Sequence, residues 1–275
     1  MKKNRKKFKI VLLFTLFAVL ITYIVIGFSQ KKLVVTEYVY HNKKLPKAFD
    51  GYKIVLISDL HHKNFGDKQS ELIEAIKKSE PDLILFTGDI VDKNHDDMTP
   101  VENLLKGISG IAPAYYVTGN HELDMGAREQ YVKLELLLEK YGVTDLDNLS
   151  VEIKRGEDSI FLHGKKYLSK NIDKYLETAN QEYFNILMYH CSDSFGRISG
   201  HGYDIVMSGH THGGIVRLPI VGGVIGNSRE LFPKYDGGVF IENNCTLFSS
   251  KGLGDAEVPR FYNPPEVVVV TLKCE

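Results

Sequence analysis

Cysteine is scarce in this chain of 275 residues: Cys191, Cys245 and Cys274 stand far apart with no CxxC spacing. That spacing supports neither a zinc knuckle nor a disulfide framework. Charge of one sign is also lacking. The net charge is −1, and no run of Lys or Arg interleaves with aromatics, so the chain carries neither a nucleic-acid footprint nor an acidic tail. Internal repeats and low-complexity segments are absent as well. With 43% hydrophobic and 25% charged residues, the chain can bury a substantial core without disulfides or repeats, which suits one large domain plus an appendage.

The appendage is at the start. Six of the first nine residues, "MKKNRKKFK", are Lys or Arg, and residues 10–28, "IVLLFTLFAVLITYIVIGF", hold no charge at all. Nineteen residues at about 1.5 Å each reach roughly 28 Å, enough for the hydrocarbon core of a bilayer. The run is longer than a cleavable signal's apolar region and no A-x-A site follows it, which favours an uncleaved anchor over a signal sequence. Apolar residues on every side argue against a buried core helix. Lys31 and Lys32 follow the run, but the six basic residues before it place the N-terminus on the cytoplasmic side and the rest outside. The expected organisation is a basic N-terminus (1–9), a transmembrane anchor (10–28), a connector (29–50) holding a short strand, and a catalytic domain (51–275). Neither a twin-arginine pair nor a lipid-modified Cys motif is present.

From Gly51 onward short apolar runs recur: "KIVLIS" (53–58), "LILFT" (83–87), "AYYVT" (114–118), "NILMY" (185–189) and "DIVMS" (204–208). They do not alternate, as befits strands covered on both faces. Helical spacing follows in residues 67–82, with Leu72, Ile73 and Ile76 on one face. It recurs in 128–142, with Tyr131, Leu134, Leu137 and Leu138 on one face and Gly142 as the cap. "EVVVVTL" (266–272) reads as a last buried strand. Strands alternating with helices predict an α/β domain.

Chemistry-bearing residues stand immediately after each run. Asp59 and His61 follow the first, Asp89 and Asp92 the second, Asn120, His121 and Glu122 the third, His190 the fourth, and "GHTHGG" with His210 and His212 the fifth. Ligand sites in α/β sheets collect beyond the carboxyl ends of strands, so these residues are expected to share one crevice. Taken singly, each is a plausible cap, turn former or satisfied histidine. The ordered set is far more specific: Asp-x-His, Gly-Asp-x-x-Asp, Gly-Asn-His-Glu, a lone His, and Gly-His-x-His. In this it resembles the calcineurin-like metallophosphoesterases. "GHTHGGIVRLP", "SSKGLG" (249–254) and "VPRFYNPPEVVVVTL" (258–272) further resemble the small bacterial membrane-anchored YkuE and YaeI type. Two departures are Ile215, where that branch often has Gln, and Cys191, where Pro is common; neither is a ligand position.

The resemblance implies a four-layer αββα sandwich of two mixed sheets. It also implies two divalent metal ions, one held by Asp59, His61, Asp89 and His212 and the other by Asp89, Asn120, His190 and His210. An N and O donor set without thiolate is compatible with Mn, Fe, Zn or Co. His121, beside a ligand but not one itself, suits a general acid for the leaving oxygen. Asp92 or Glu122 is placed to orient it, or equally to support a metal ligand or act as a cap. Arg217 fits either a bidentate phosphate contact or an exposed ion pair. His41, His62, His95, His163 and His201 all read as structural, although His62, beside a ligand position, and His95, near Asp92, are also placed to line the cleft.

The function expected is a membrane-anchored, dinuclear-metal phosphoesterase cleaving phosphodiester or pyrophosphate bonds, with envelope lipids or nucleotide-linked precursors as substrates. The alternatives are an extracytoplasmic phosphomonoesterase or nucleotide phosphodiesterase, and a surface-binding module without catalysis. The anchor and the lack of a basic surface argue against a nuclease.

Overall fold

The computed structural model describes residues 2–29, 32–168, 171–226, 229–255 and 260–275. In chain order the first elements are α1 (Lys2–Ser29), β1 (Val34–Asn42), β2 (Lys53–Ile57), α2 (Ser70–Lys78), β3 (Leu83–Phe86), α3 (Thr99–Ile108), β4 (Ala114–Tyr116), α4 (Arg128–Lys140) and β5 (Val143–Asp145). There follow β6 (Ser150–Arg155), β7 (Asp158–Lys165), α5 (Ile172–Tyr175), β8 (Asn185–Cys191), α6 (Phe195–Ile198) and β9 (Ile205–Gly209). The last are β10 (Val216–Leu218), β11 (Gly222–Ile225), β12 (Gly238–Glu242), β13 (Cys245–Ser249) and β14 (Glu266–Cys274).

Two six-stranded sheets form the body, ordered β1-β14-β2-β3-β4-β5 and β12-β13-β9-β8-β7-β6, with β10 and β11 as a separate hairpin. Both sheets are mixed: β2, β3, β4 and β5 run parallel while β14 is antiparallel to β2, and β7, β8, β9 and β13 run parallel while β6 and β12 are antiparallel edges.

Side chains of successive strand residues point to opposite faces, and here both faces are apolar. Ile54 and Leu56 of β2, with Val268 and Val270 of β14, meet Ile186, Met188, Ile205 and Met207 in the core between the sheets. Their neighbours Val55, Ile57, Val267 and Val269 pack outward against Leu72 and Ile76 of α2, Leu104 and Ile108 of α3, and Leu134 and Leu138 of α4. On the far side Leu187, Tyr189, Val206 and Leu247 are covered by Ile172 of α5 and Phe195 and Ile198 of α6. Helices outside, two sheets within: the layering is the αββα one, and it explains why the strand runs show no alternation. Each such buried aliphatic contributes roughly 1.5–3 kcal/mol.

Two kinds of element were not legible in advance. Helix α3 is short and contains Gly107, where an added Cβ would overlap the side chain of Ile73 on the neighbouring α2. The glycine weakens helix propensity but lets the two helices close on each other. The outer strands β6 and β12 are half exposed: β6 alternates apolar with polar residues, and β12 offers only the short run Val239, Phe240 and Ile241 between Gly238 and Glu242. Residues 29–50, expected as a connector, contribute more than a link, because β1 pairs in parallel with β14 along its whole length.

The N-terminal run is helical as α1, and its large apolar side chains from Val11 to Ile26 are exposed. Among the described residues, no helix is long and apolar enough to cross a membrane. The side chains at both ends of the expected span, at 1–6, 8, 10 and 27–31, lie outside the described residues.

Candidate metal centre

The parallel strands β2, β3 and β4 deliver their carboxyl ends to one rim of the first sheet, and β8 and β9 do the same for the second. Hydrogen bonds between the sheets join the two rims. The His210 backbone N–H donates to both oxygens of Asp59 at 3.1 Å, and Nδ1 of His190 donates to the carbonyl of Thr87 at 2.7 Å.

At the rim the chain turns abruptly. Asp59, His61, Asp89, His210 and His212 all adopt left-handed backbone conformations, with φ of 53°, 47°, 54°, 74° and 49°. Non-glycine residues enter this region at a cost on the order of 1 kcal/mol or more each, and such strain gathers at functional sites. Two glycines admit the close approach: an added Cβ at Gly209 would collide with Ser58 and Asp59, and one at Gly119 with the side chain and backbone of Asp89.

The side chains so delivered form overlapping groups, each able to surround one cation. Asp59, His61 and His212 are the first, with His212 Nε2 3.6 Å from Asp59 Oδ1. Asp89, His190 and His210 are the second. Here His190 Nε2 lies 3.1 Å from Asp89 Oδ2, 3.1 Å from His210 Nδ1 and 3.0 Å from Asn120 Oδ1. A third group joins them: His61 and His121 reach to 3.9 and 4.0 Å from the same Asp89 oxygen. Asp89 is thus common to the second and third groups, and His61 links the third to the first. Cys191, Asp193 and His210 form a further cluster at the edge, which the sequence did not suggest.

The residues fit a metal. Nε2 of His61 is buried and has no hydrogen-bond partner, an expensive condition for a polar atom unless a ligand completes it. Burial works against charge on Asp59 and Asp89, yet the imidazoles around them hold both carboxyls below the usual carboxylate range. Burial likewise pushes His212 down to about 3, which keeps its ring neutral and its lone pair available.

Supporting residues differ in part from expectation. Neither Asp92 nor Glu122 contacts His121 among the described residues. Asp92 faces Nδ1 of His61 at 3.4 Å and accepts from His95 at 2.9 Å. Glu122 accepts from the backbone N–H groups of Asp89, Ile90 and Gly119 at 2.9, 2.7 and 2.9 Å, pinning the Asp89 turn to the Asn120 loop. His121 is about a third exposed, and its ring stands edge-on to His61 with centroids 4.6 Å apart. Burial pushes His121 below the ordinary imidazole value, against the opposing pull of Asp89.

Arg217 does not face the cleft. Its Nη1 is taken by Asp236 at 2.9 Å and by the carbonyls of Gly213 and Asp236, so the ion-pair reading holds. His62 and His95 do line the cleft, a cavity of about 650 Å³ that opens over His61, His121 and His212. Ile215 contributes to its wall, whereas Cys191 is buried.

Two participants escaped the sequence reading. Thr87 acts through its carbonyl, which no side chain advertises. Arg260 is buried behind His212, its Nη2 3.2 Å from His212 Nδ1 and its other donors on the carbonyls of Lys251 and Gly254. A lone arginine in the otherwise apolar, proline-rich stretch before β14 was the available signal.

A profile of the calcineurin-like phosphoesterases matches residues 52–214, which span every one of these strand ends. The chain is 29% identical over 253 residues to the uncharacterised metallophosphoesterase YkuE of Bacillus subtilis, covering 86% of this chain and 85% of the relative. It is 30% identical to an uncharacterised metallophosphoesterase of Aquifex aeolicus, covering 88% and 92%. To the phosphodiesterase YaeI of Escherichia coli it is 25% identical, covering 80% and 82%. A buried cage of carboxylates and imidazoles at the meeting rims of two mixed sheets, within a matched stretch of this extent, makes the chain a member of the calcineurin-like phosphoesterase family and a metal-dependent phosphoester hydrolase.

Proposed function

We propose that the protein is a dinuclear-metal phosphodiesterase in which Asp59, His61, Asp89 and His212 hold one cation and Asp89, Asn120, His190 and His210 the other. The observation that carries this reading is the Asp89 carboxylate, shared by the Asp89–His190–His210 and His61–Asp89–His121 groups, with His61 shared in turn by the Asp59–His61–His212 group. Bound divalent cations supply Lewis-acid stabilisation of charge on the phosphoryl oxygens and lower the pKa of a water. Around them, the chain's own residues set the geometry. Asp92 orients His61 and Glu122 fixes the Asp89 turn, so the donors are held before substrate arrives. His121, on the cleft wall and pushed below the ordinary imidazole value by burial, takes a proton from solvent and delivers it to the leaving oxygen.

The diester preference is supported by the likeness to the phosphodiesterase YaeI, and the cleft of about 650 Å³ is large enough for a substrate bigger than phosphate alone. The charge-free run at residues 10–28, with its exposed apolar side chains, supports a single-pass anchor that holds the catalytic part outside the cytoplasmic membrane. Metal analysis of the purified full chain, combined with hydrolysis of bis-p-nitrophenyl phosphate against p-nitrophenyl phosphate, tests the proposal. About two equivalents of Mn, Fe, Zn or Co and a faster diester reaction are expected; a strong preference for the monoester would overturn the diester assignment.

A further inference from the structure

The hairpin of β10 and β11 is a small unit with two different sides. Val216 pairs with Ile225, Ile225 bridges to Leu231, and Val216 bridges to Phe261, so four passes of chain lie together. On the inner side Ile215, Val216 and Ile225 form an apolar wall of the metal cleft. Away from that wall, Ile220 is fully exposed, and Val221, Leu231 and Phe232 are 59%, 70% and 64% exposed. Four large apolar groups left in water within one loop region call for a covering surface.

What covers them is indicated by the neighbouring chain. Phe261, which bridges to β10, and Tyr262 pack on Tyr23 of α1 with ring centroids 6.0 and 4.8 Å apart, and the Tyr262 hydroxyl donates to the Tyr23 carbonyl at 3.2 Å. The apolar helix and the apolar hairpin therefore meet at one corner of the molecule, joined by aromatic residues of the kind that settle at membrane interfaces. Lys63 and Arg229 line the adjoining cleft, and Arg229 forms no ion pair among the described residues.

From this we propose that the hairpin 216–225, with residues 229–232 beside it, is a docking wedge that inserts Ile220, Val221, Leu231 and Phe232 into a lipid leaflet. The mouth of the cleft then opens at the headgroup level, and the substrate is a phosphodiester carried by a lipid. The docking half rests on the anchor reading of residues 10–28, and the substrate half on the phosphodiesterase reading above.

The chain contains no tryptophan, so Ile220→Trp introduces a single reporter. Ile241→Trp, on the exposed edge strand β12, serves as the comparison. Each full-length variant is placed in vesicles of phosphatidylcholine and phosphatidylglycerol, with and without brominated acyl chains. Quenching of the Ile220→Trp emission by at least half, with Ile241→Trp unquenched, is the expected result. No quenching of Ile220→Trp, or equal quenching of both, overturns docking. So does a blue-shifted, dimeric Ile220→Trp protein that bromolipid does not quench, since a second copy would then cover the patch.

For the substrate half, the double variant Ile220→Asp/Phe232→Asp should cleave soluble bis-p-nitrophenyl phosphate at the wild-type rate. Its cleavage of the p-nitrophenyl diester of phosphatidic acid in the same vesicles should fall at least tenfold. Equal retention on both substrates overturns the lipid assignment. A wild-type protein that cleaves neither overturns the phosphodiesterase reading and the lipid assignment with it, while quenching still decides docking.

Discussion

Nδ1 of His190 lies 2.7 Å from the carbonyl oxygen of Thr87, a residue 103 positions earlier in the chain and at the end of a strand in the opposite sheet. The bond fixes the ring so that Nε2 faces Asp89 and Asn120. A contact between sheets thus sets the orientation of a proposed metal donor.

In metal-free protein that ring is charged. Burial opposes the charge, but Asp89 at 3.1 Å outweighs it and pushes His190 up to about 10. A histidine raised in this way stabilises the fold fully below its unfolded value of about 6.5 and loses the contribution as pH rises through the folded value. The Tm of chelator-treated protein is therefore expected to fall between pH 7 and 10, and that of His190→Asn to fall less. Metal uptake must displace the same proton, so affinity tightens with pH across this window, and calorimetry in buffers of different ionisation enthalpy should register the proton released.

Replacing His121 by alanine should lower kcat by about 10²- to 10⁴-fold, the usual contribution of general acid catalysis. Metal content should be unchanged, because Asp59, Asp89, His190, His210 and His212 remain in place. Loss of metal in His121→Ala, measured by elemental analysis, would make it a ligand instead of an acid.

The orphaned Nε2 makes His61 the most direct probe of the first cation position. His61→Ala should retain about one equivalent of metal and lose most activity. Its fold should survive with a modest loss of stability, since the nearest side-chain partner given up is the Asp92 carboxylate at Nδ1. Two retained equivalents would detach His61 from the centre.

Glu122→Gln replaces one of the two carboxyl oxygens that accept four backbone N–H groups around Asp89 with an amide donor. A loss of about 1–3 kcal/mol in unfolding free energy is expected. The metal Kd should weaken about 10- to 100-fold, because the turn that aims Asp89 loosens. Denaturant titration and metal competition measure the two effects separately.

Gly119→Ala tests the close approach itself. The new Cβ would overlap the Asp89 carboxylate and come to 2.5 Å from its backbone nitrogen, and backbone cannot give as a flexible side chain can. Loss of metal binding with near-native circular dichroism is the expected outcome; full metal occupancy would show that the loop relaxes.

Most of the site was readable without coordinates, since the donors are side chains whose chemistry is explicit and whose place after each apolar run is a local feature. The strands β2, β3, β4, β8 and β9 were readable for the same reason: runs buried on both faces leave an uninterrupted apolar signal. The half-exposed edges β6 and β12 leave only a weak one, and α3 was masked by Gly107, whose use is a packing contact with Ile73.

The amino-acid order by itself determined which residues are available to a metal, and that Asp59, Asp89 and the Gly-His-x-His pair each follow a strand. Tertiary structure alone decided that Asp92 serves His61 instead of His121, that Arg217 is spent on Asp236, and that Arg260 stands behind His212. The physical reason is range. A residue's donor chemistry and its position along a strand are local properties, whereas the partner of an arginine or carboxylate is chosen by whichever chain segment the closing of two sheets brings within about 3 Å of it.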